Sequence, residues 1–171
     1  PTPSPPPTPP PSPLSPPSPP SPPSPPPWPP GTFTSKDDLQ TAVRAFNDDA
    51  AEAIATYGPI GDWDVSAVSD MSQLFSPYYG SYDYGEYTDF NDFNEDLSNW
   101  DTSGVTDMRS MFQSATAFNQ PLTFDTSSVK TMESMFSGAL AFNQPLSLAF
   151  DTSSVTDMSY MFSVRARSAC A

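Results

Sequence analysis

Apolar residues return to the same places along this chain. The segment WDVSAVSDMSQLF at 63–75 recurs as WDTSGVTDMRSMF at 100–112, FDTSSVKTMESMF at 124–136 and FDTSSVTDMSYMF at 150–162. A second pattern, AFNQPL, stands at 117–122 and 141–146, with DFNEDL at 92–97 as a looser copy. The later repeats begin 24 and 26 residues apart, from Trp100 to Phe124 to Phe150. A period in the twenties marks one small unit stacked on copies of itself. The expected fold class is therefore an α/β solenoid of about four repeats.

Within a repeat, Val155, Met158, Met161 and Phe162 fall at i, i+3, i+6 and i+7, which predicts a short helix of about two turns. Thr156 or Ser154 would cap it, and Asp157 sits in its first turn. Pro121 and Pro145 precede a stretch in which Leu122, Phe124, Leu146 and Phe150 are expected to point inward. Each coil thus reads as a short strand, a DTS turn and a short helix. Val68, Val105, Val129 and Val155 are expected to form one buried ladder, and Phe75, Phe112, Phe136 and Phe162 another.

Ahead of the first repeat, Leu39, Val43, Phe46, Ala50 and Ile54 make an apolar stripe at helical spacing. Ser35 followed by Asp38 is a capping-box-like start, and Gly58-Pro59 a stop. One amphipathic helix, with Asn47-Asp48-Asp49 as its candidate break, should cap the stack, since terminal repeats need a polar-backed cover. The organisation is a proline-rich arm at 1–30, a helical cap at 31–60, and stacked repeats at 61–171 with an insertion at 76–96.

The arm contains 20 Pro, 6 Ser, 2 Thr, Leu14 and Trp28, and no charge. Such a segment cannot form a helix or a central strand, and its default is polyproline II, about 3.1 Å per residue. Three residues per turn place Ser15, Ser18, Ser21 and Ser24 along one edge of the rod. It reads as a stiff spacer, as a rod with a row of modification or contact sites, or as a ligand for a proline-recognition domain. The net charge of −14 therefore belongs entirely to the rest of the chain. That acidity argues against nucleic acid and anionic membrane as partners. No apolar run approaches the ~20 residues that span a bilayer, so no membrane insertion is expected. The chain begins at Pro1 with no Met or signal peptide, as a processed product or fragment would.

Candidate chemistry is sparse. The sequence has no histidine, and its one cysteine is Cys170, either a tolerated thiol or an intermolecular bridge. Asp101, Asp125 and Asp151, with Asp64 beneath, are expected to stack as a column of carboxylates. They either hold Ca²⁺ or satisfy backbone N–H groups in a repeated turn. No other cofactor is expected. The insertion carries Tyr78, Tyr79, Tyr82, Tyr84 and Tyr87 among acids. Solenoid insertions often form the binding face, so these tyrosines are candidates for a carbohydrate or protein ligand, or else a packed loop. Arg165 and Arg167, with Cys170, are assembly candidates: basic residues near the end of an acidic chain favour head-to-tail contact between copies.

The wording FNQPLSxxFDTSSVTDMSYMF resembles the repeat of BspA-like leucine-rich bacterial surface proteins and mycoplasma lipoproteins over about 60–163. That resemblance implies a leucine-rich-repeat-like solenoid on a cell surface, with adhesion as its role and no enzymatic activity. The arm resembles the hydroxyproline-rich glycoproteins of plant and green-algal walls, extensin-like and pherophorin-like. It implies O-linked glycans on Ser15, Ser18, Ser21 and Ser24 and on hydroxylated Pro16, Pro19, Pro22 and Pro25. Two functions follow as expectations: an extracellular structural glycoprotein, subunit of a surface or wall fibre made of copies of itself, or a cell-surface adhesin whose solenoid binds a ligand. No N-x-S/T sequon occurs, so no N-glycan is expected. Intact mass spectrometry of the natural protein should give a mass above that of the peptide, with the excess mapping to 1–30; the bare peptide mass would contradict the modified arm.

Overall fold

The computed structural model describes residues 31–77, 90–146 and 150–163. The proline-rich arm and its expected polyproline II conformation lie outside the described residues.

The cap is two helices, α1 (Lys36–Asp48) and α2 (Ala50–Tyr57), followed by a 3₁₀ turn at Ile60–Asp62. The Ser35 hydroxyl accepts from the Asp38 N–H at 3.2 Å, and Asp37 and Asp38 sit where the helix dipole favours anions. The break is one residue. Asp49 is extended (φ −147°); its N–H still closes α1 on Ala45, while its carboxylate accepts from Ala51 and Glu52 and starts α2. Breaking the chain there resets the helical phase. Leu39, Val43 and Phe46 are buried as expected, but in α2 it is Ala53 that faces the core. Ala50 is exposed and Ile54 is 44% exposed, so the stripe does not continue through them.

Beyond the cap the four repeats lie on one another in parallel register. Single-residue parallel bridges join Asp70 to Asp107, Asp107 to Thr131 and Thr131 to Asp157, and a fourth joins Thr32 to Asp64 at the cap. Between coils, alternate N–H groups donate to the next coil. Met71, Gln73 and Phe75 donate to the carbonyls of Asp107, Arg109 and Met111 at 2.8–2.9 Å. Met108, Ser110 and Phe112 reach Thr131, Glu133 and Met135, and Met132, Ser134 and Phe136 reach Asp157, Ser159 and Met161. The intervening donors turn back: Leu74, Met111, Met135 and Met161 each bond to the carbonyl three residues earlier. The remaining donors, Ser72, Arg109, Glu133 and Ser159, bond to the side chains of Asp70, Asp107, Thr131 and Asp157. No N–H of this run is left over in the first three coils, the condition for burying backbone.

This arrangement replaces the short strand and short helix expected in each coil. The segments 71–75, 108–112, 132–136 and 158–162 are consecutive turns. Gln73, Ser110, Ser134 and Tyr160, the same position of each repeat, are left-handed, with φ between 54° and 59°. A left-handed residue costs an L-amino acid about 1–2 kcal/mol and ends any α-helix. Here it frees alternate N–H groups to leave the coil. Turns closing every third residue bury the same i, i+3, i+4 positions as a helix, which is why the apolar spacing resembled one.

Side chains stack like on like. Phe75, Phe112, Phe136 and Phe162 form one column, with centroids 5.2, 5.7 and 5.5 Å apart and planes within 6°. Phe93, Phe118 and Phe142 form a second, at 6.1 and 6.0 Å. The columns touch within each coil at 4.1–4.3 Å. Val68, Val105 and Val129 are buried, as are Leu122 and Phe124. The fourth coil departs from the expectation. Val155 and Phe150 are partly buried, and Leu146 and Phe162 are exposed rather than inward.

Trp63 fixes the cap to the stack. It packs on Phe33, Phe46 and Tyr57 on one side and on Trp100, 6.4 Å away, on the other. Its indole N–H donates to Gly58, and that of Trp100 to Ile60.

Phe112→Ala or Phe136→Ala should lower unfolding stability by about 3–5 kcal/mol, since each removes a buried ring between two others. Phe162→Ala should cost far less, because only one face of its ring is covered. Urea denaturation checks both, and equal losses at Phe112 and Phe162 would contradict the stacked columns.

Candidate functional site

The two ends of the stack are unlike. At the cap end, Phe33 donates to the Asp64 carbonyl and Asp64 to that of Gly31, both at 2.9 Å. The Lys36 ammonium donates to both carboxylate oxygens of Asp70 at 3.1 Å and also to the Ser72 hydroxyl. A cation thus closes the head of the Asp70–Asp107–Thr131–Asp157 column. Burial pushes the Asp70 pKa up, but the Ser72 N–H and hydroxyl and the Lys36 ammonium outweigh it, and the carboxyl lies below its usual range.

At the far end the column of donors runs out. Met158, Tyr160 and Phe162 occupy the positions whose N–H groups reach the next coil elsewhere, and they find no acceptor among the described residues. Their side chains are 46%, 69% and 56% exposed. Leu140 and Leu146 are exposed as well. Phe162 shows one ring face to Phe136 and the other outward.

The sides carry polar columns. Asn119 and Asn143 donate their N–H groups to the amide oxygens of Asn94 and Asn119 at 2.8 and 2.9 Å, and Gln120 and Gln144 bond to the carbonyls of Asn94 and Asn119. Buried Thr102 and Thr126 donate to the carbonyls of Asp125 and Asp151. Asp64, Asp101, Asp125 and Asp151 each accept from the N–H of the serine two residues on, at 2.8–3.1 Å. The Ser103 hydroxyl and N–H hold the Asp101 carboxyl below its usual range, against burial and the neighbouring Asp125. The Ser127 N–H and hydroxyl do the same for Asp125, and the Ser159 hydroxyl and N–H for Asp157.

For Asp101, Asp125 and Asp151 the structure shows the turn-closing contact of the two alternatives: each carboxylate bonds within its own turn. Among the described residues no three His, Cys, Asp or Glu side chains come together for a metal. The candidates Ser15, Ser18, Ser21, Ser24, Pro16, Pro19, Pro22, Pro25, Tyr78, Tyr79, Tyr82, Tyr84, Tyr87, Arg165, Arg167 and Cys170 lie outside the described residues. Sequence reasoning put Met158 on the apolar face of a short helix and Phe162 in a buried ladder, whereas both are exposed, and it did not single out Tyr160. Their place in the last copy of the repeat was the available clue.

The family described as Mycoplasma protein of unknown function, DUF285, matches residues 83–168, half of the chain. The chain belongs to the DUF285 family. Neither the curated proteins nor the solved structures contain a match to it. The DUF285 segment takes in the second, third and fourth coils and both phenylalanine columns beyond Phe75.

A depressed folded-state pKa stabilises the fold above the unfolded value, about 3.9 for Asp, and that contribution is lost as pH falls through the lower folded value. Asp70→Asn should therefore cost about 0.2–1 kcal/mol at neutral pH, the range of exposed ion pairs. Its deficit against the natural chain should shrink below about pH 4. Urea midpoints of both proteins across that range read this directly, and a gap that stays constant down to pH 2 would contradict the assignment.

Proposed function

We propose that this protein is an extracellular structural glycoprotein, a subunit of a surface or wall fibre with a glycosylated proline-rich arm and a solenoid assembly domain. The observation that carries this reading is the unequal pair of ends of the described stack, one covered by a helical cap and Lys36, the other bearing exposed Met158, Tyr160 and Phe162, whose N–H groups meet no acceptor among the described residues. Exposed apolar surface at one end favours association, and a contact between unlike ends need not close on itself, which yields a fibre. Arg165 and Arg167 favour such head-to-tail contact in a chain with net charge −14. A leucine-rich-repeat-like solenoid of the BspA-like type supports a position at the cell surface or wall. The likeness of the arm to hydroxyproline-rich glycoproteins supports O-linked glycans as its covering.

The role is non-enzymatic. The sequence holds no histidine and a single cysteine. The repeated carboxylates and hydroxyls bond to their own turns, and no pair is singled out for acid–base work. Among the described residues no helix is long and apolar enough to cross a membrane. A second reading, an adhesin whose solenoid binds a carbohydrate or protein, draws on the BspA-like resemblance and on the tyrosines at 78–87.

Light scattering and negative-stain imaging of the purified natural protein decide between them. Particle size should grow with concentration, and filaments should be visible. A stable monomer at high concentration, with arm and C-terminus intact, would rule the fibre out and leave the adhesin.

A further inference from the structure

The asparagine column is half used. Asn94 and Asn119 spend their amide oxygens on the N–H groups of Asn119 and Asn143, at 2.8 and 2.9 Å. The amide NH₂ groups of Asn94, Asn119 and Asn143 meet no acceptor among the described residues. Gln120 and Gln144 are the reverse. Each gives its NH₂ to the carbonyl of Asn94 or Asn119, and its amide oxygen meets no donor there. Successive coils thus offer a free donor beside a free acceptor, at Asn119 and Gln120 and again at Asn143 and Gln144. Asn94 and Asn143 are exposed, the other three half-buried, and the neighbouring Pro121 and Pro145 are exposed.

This part of the stack is also neutral. The chain has a net charge of −14, yet residues 110–124 and 134–150 contain no Asp, Glu, Lys or Arg. Acids flank the ladder only at its first rung, as Glu95 and Asp96. We infer that the amide ladder binds a neutral polysaccharide chain lying along the stack, one ring to a coil. The inference goes beyond the fibre reading, because it concerns a single copy whether or not copies assemble.

The chemistry matches in three respects. A hydroxyl is one donor with two acceptor lone pairs, so neighbouring sugar hydroxyls accept from an Asn NH₂ and donate to a Gln oxygen. The repeat fits as well. Phe93, Phe118 and Phe142, each next in sequence to a ladder asparagine, have ring centroids 6.1 and 6.0 Å apart. An extended pyranose chain advances by a comparable length at each ring. The inter-coil bonds already hold the amides in a row, so binding gives up little side-chain freedom.

Other occupants fit less well. An ionic ligand finds no counter-charge beside the second and third rungs. An extended peptide would need a free backbone edge, and the N–H groups of Asn119 and Asn143 are taken. A second copy would bring one strongly acidic domain against another.

The test is titration of the ¹⁵N-labelled full chain with cellohexaose and with β-1,4-mannohexaose, read at the side-chain NH₂ resonances. At least one sugar should shift Asn94, Asn119 and Asn143 together, and its trisaccharide should bind nearly as well, since the described ladder has three rungs. Asn119→Asp keeps the acceptor for Asn143 and loses the NH₂. It should weaken binding about tenfold, the loss of one hydrogen bond, without moving the thermal midpoint. Asn143→Asp, whose side chain makes no inter-coil bond, should do the same. No shift with either sugar, or full affinity in both variants, would overturn the inference. Equal binding of trigalacturonate would overturn it too, as the ladder would not select neutral chains. Shifts confined to residues 78–87 would overturn it and leave the adhesin reading on its tyrosines. Ladder shifts that follow protein concentration without sugar would overturn it and make the ladder a contact between copies.

Discussion

The structure depends on how each coil divides its backbone donors. In 71–75, 108–112 and 132–136, alternate N–H groups leave the coil for the carbonyls of the next one, and those between close turns within it. A regular helix would keep all of these bonds to itself and have nothing to bind a neighbour with. A regular strand would export them but would not curl tightly enough to return in 24–26 residues. The left-handed residue in the middle of each run, Gln73, Ser110, Ser134 and Tyr160, sets the compromise. In the first three coils its local cost is offset because its own N–H is one of those exported, from Gln73, Ser110 and Ser134. The exported donors of these runs point towards the C-terminal side, and Thr106, Lys130 and Thr156 just before them donate back to the carbonyls of Ser69, Thr106 and Lys130, so neighbouring coils are bonded in both directions.

Side chains then follow the backbone. A residue in one coil lies against the same residue in the next, so each position selects for what packs well on itself. Flat rings do so at 5–6 Å, which fills two continuous columns with phenylalanine. Asn does so by passing an amide oxygen to the next N–H, and Thr by passing its hydroxyl to the next carbonyl. Asp is not favoured on Asp, since like charges repel, and it is retained because its carboxylate closes its own turn. The near-literal wording of the repeat is thus a packing requirement. The longer spacing between the first two coils is absorbed because Phe93 and Asn94 rejoin their columns after it.

Much of this was legible in the sequence, and for a definite reason. A residue that must stack on its own copy has to recur, so the Phe75–Phe112–Phe136 and Val68–Val105–Val129 ladders could be read from spacing alone. So could the cap, whose start at Ser35 and break beside Asp48 rest on local side-chain bonds. The form of the coil could not, because a chain of turns and a helix bury the same i, i+3, i+4 positions and differ only in the sign of φ at one residue. Ser110 and Ser134 carry no sequence mark of a left-handed backbone, as glycine would. The salt bridge from Lys36 to Asp70 spans 34 positions and could not be inferred from either residue alone.

The edge of a coil is mixed in the same way. At the cap end the Phe33 N–H donates to the Asp64 carbonyl, the Asp64 N–H returns to that of Gly31, and Lys36 holds Asp70. Between coils, alternate donors of 71–75, 108–112 and 132–136 go to the following coil, while Thr106, Lys130 and Thr156 donate back to the carbonyls of Ser69, Thr106 and Lys130. Such an edge presents donors and acceptors side by side, as a strand edge does, and its partner must supply both. Another copy of the repeat does so in register, which is why the backbone, like the side chains, selects for its own likeness.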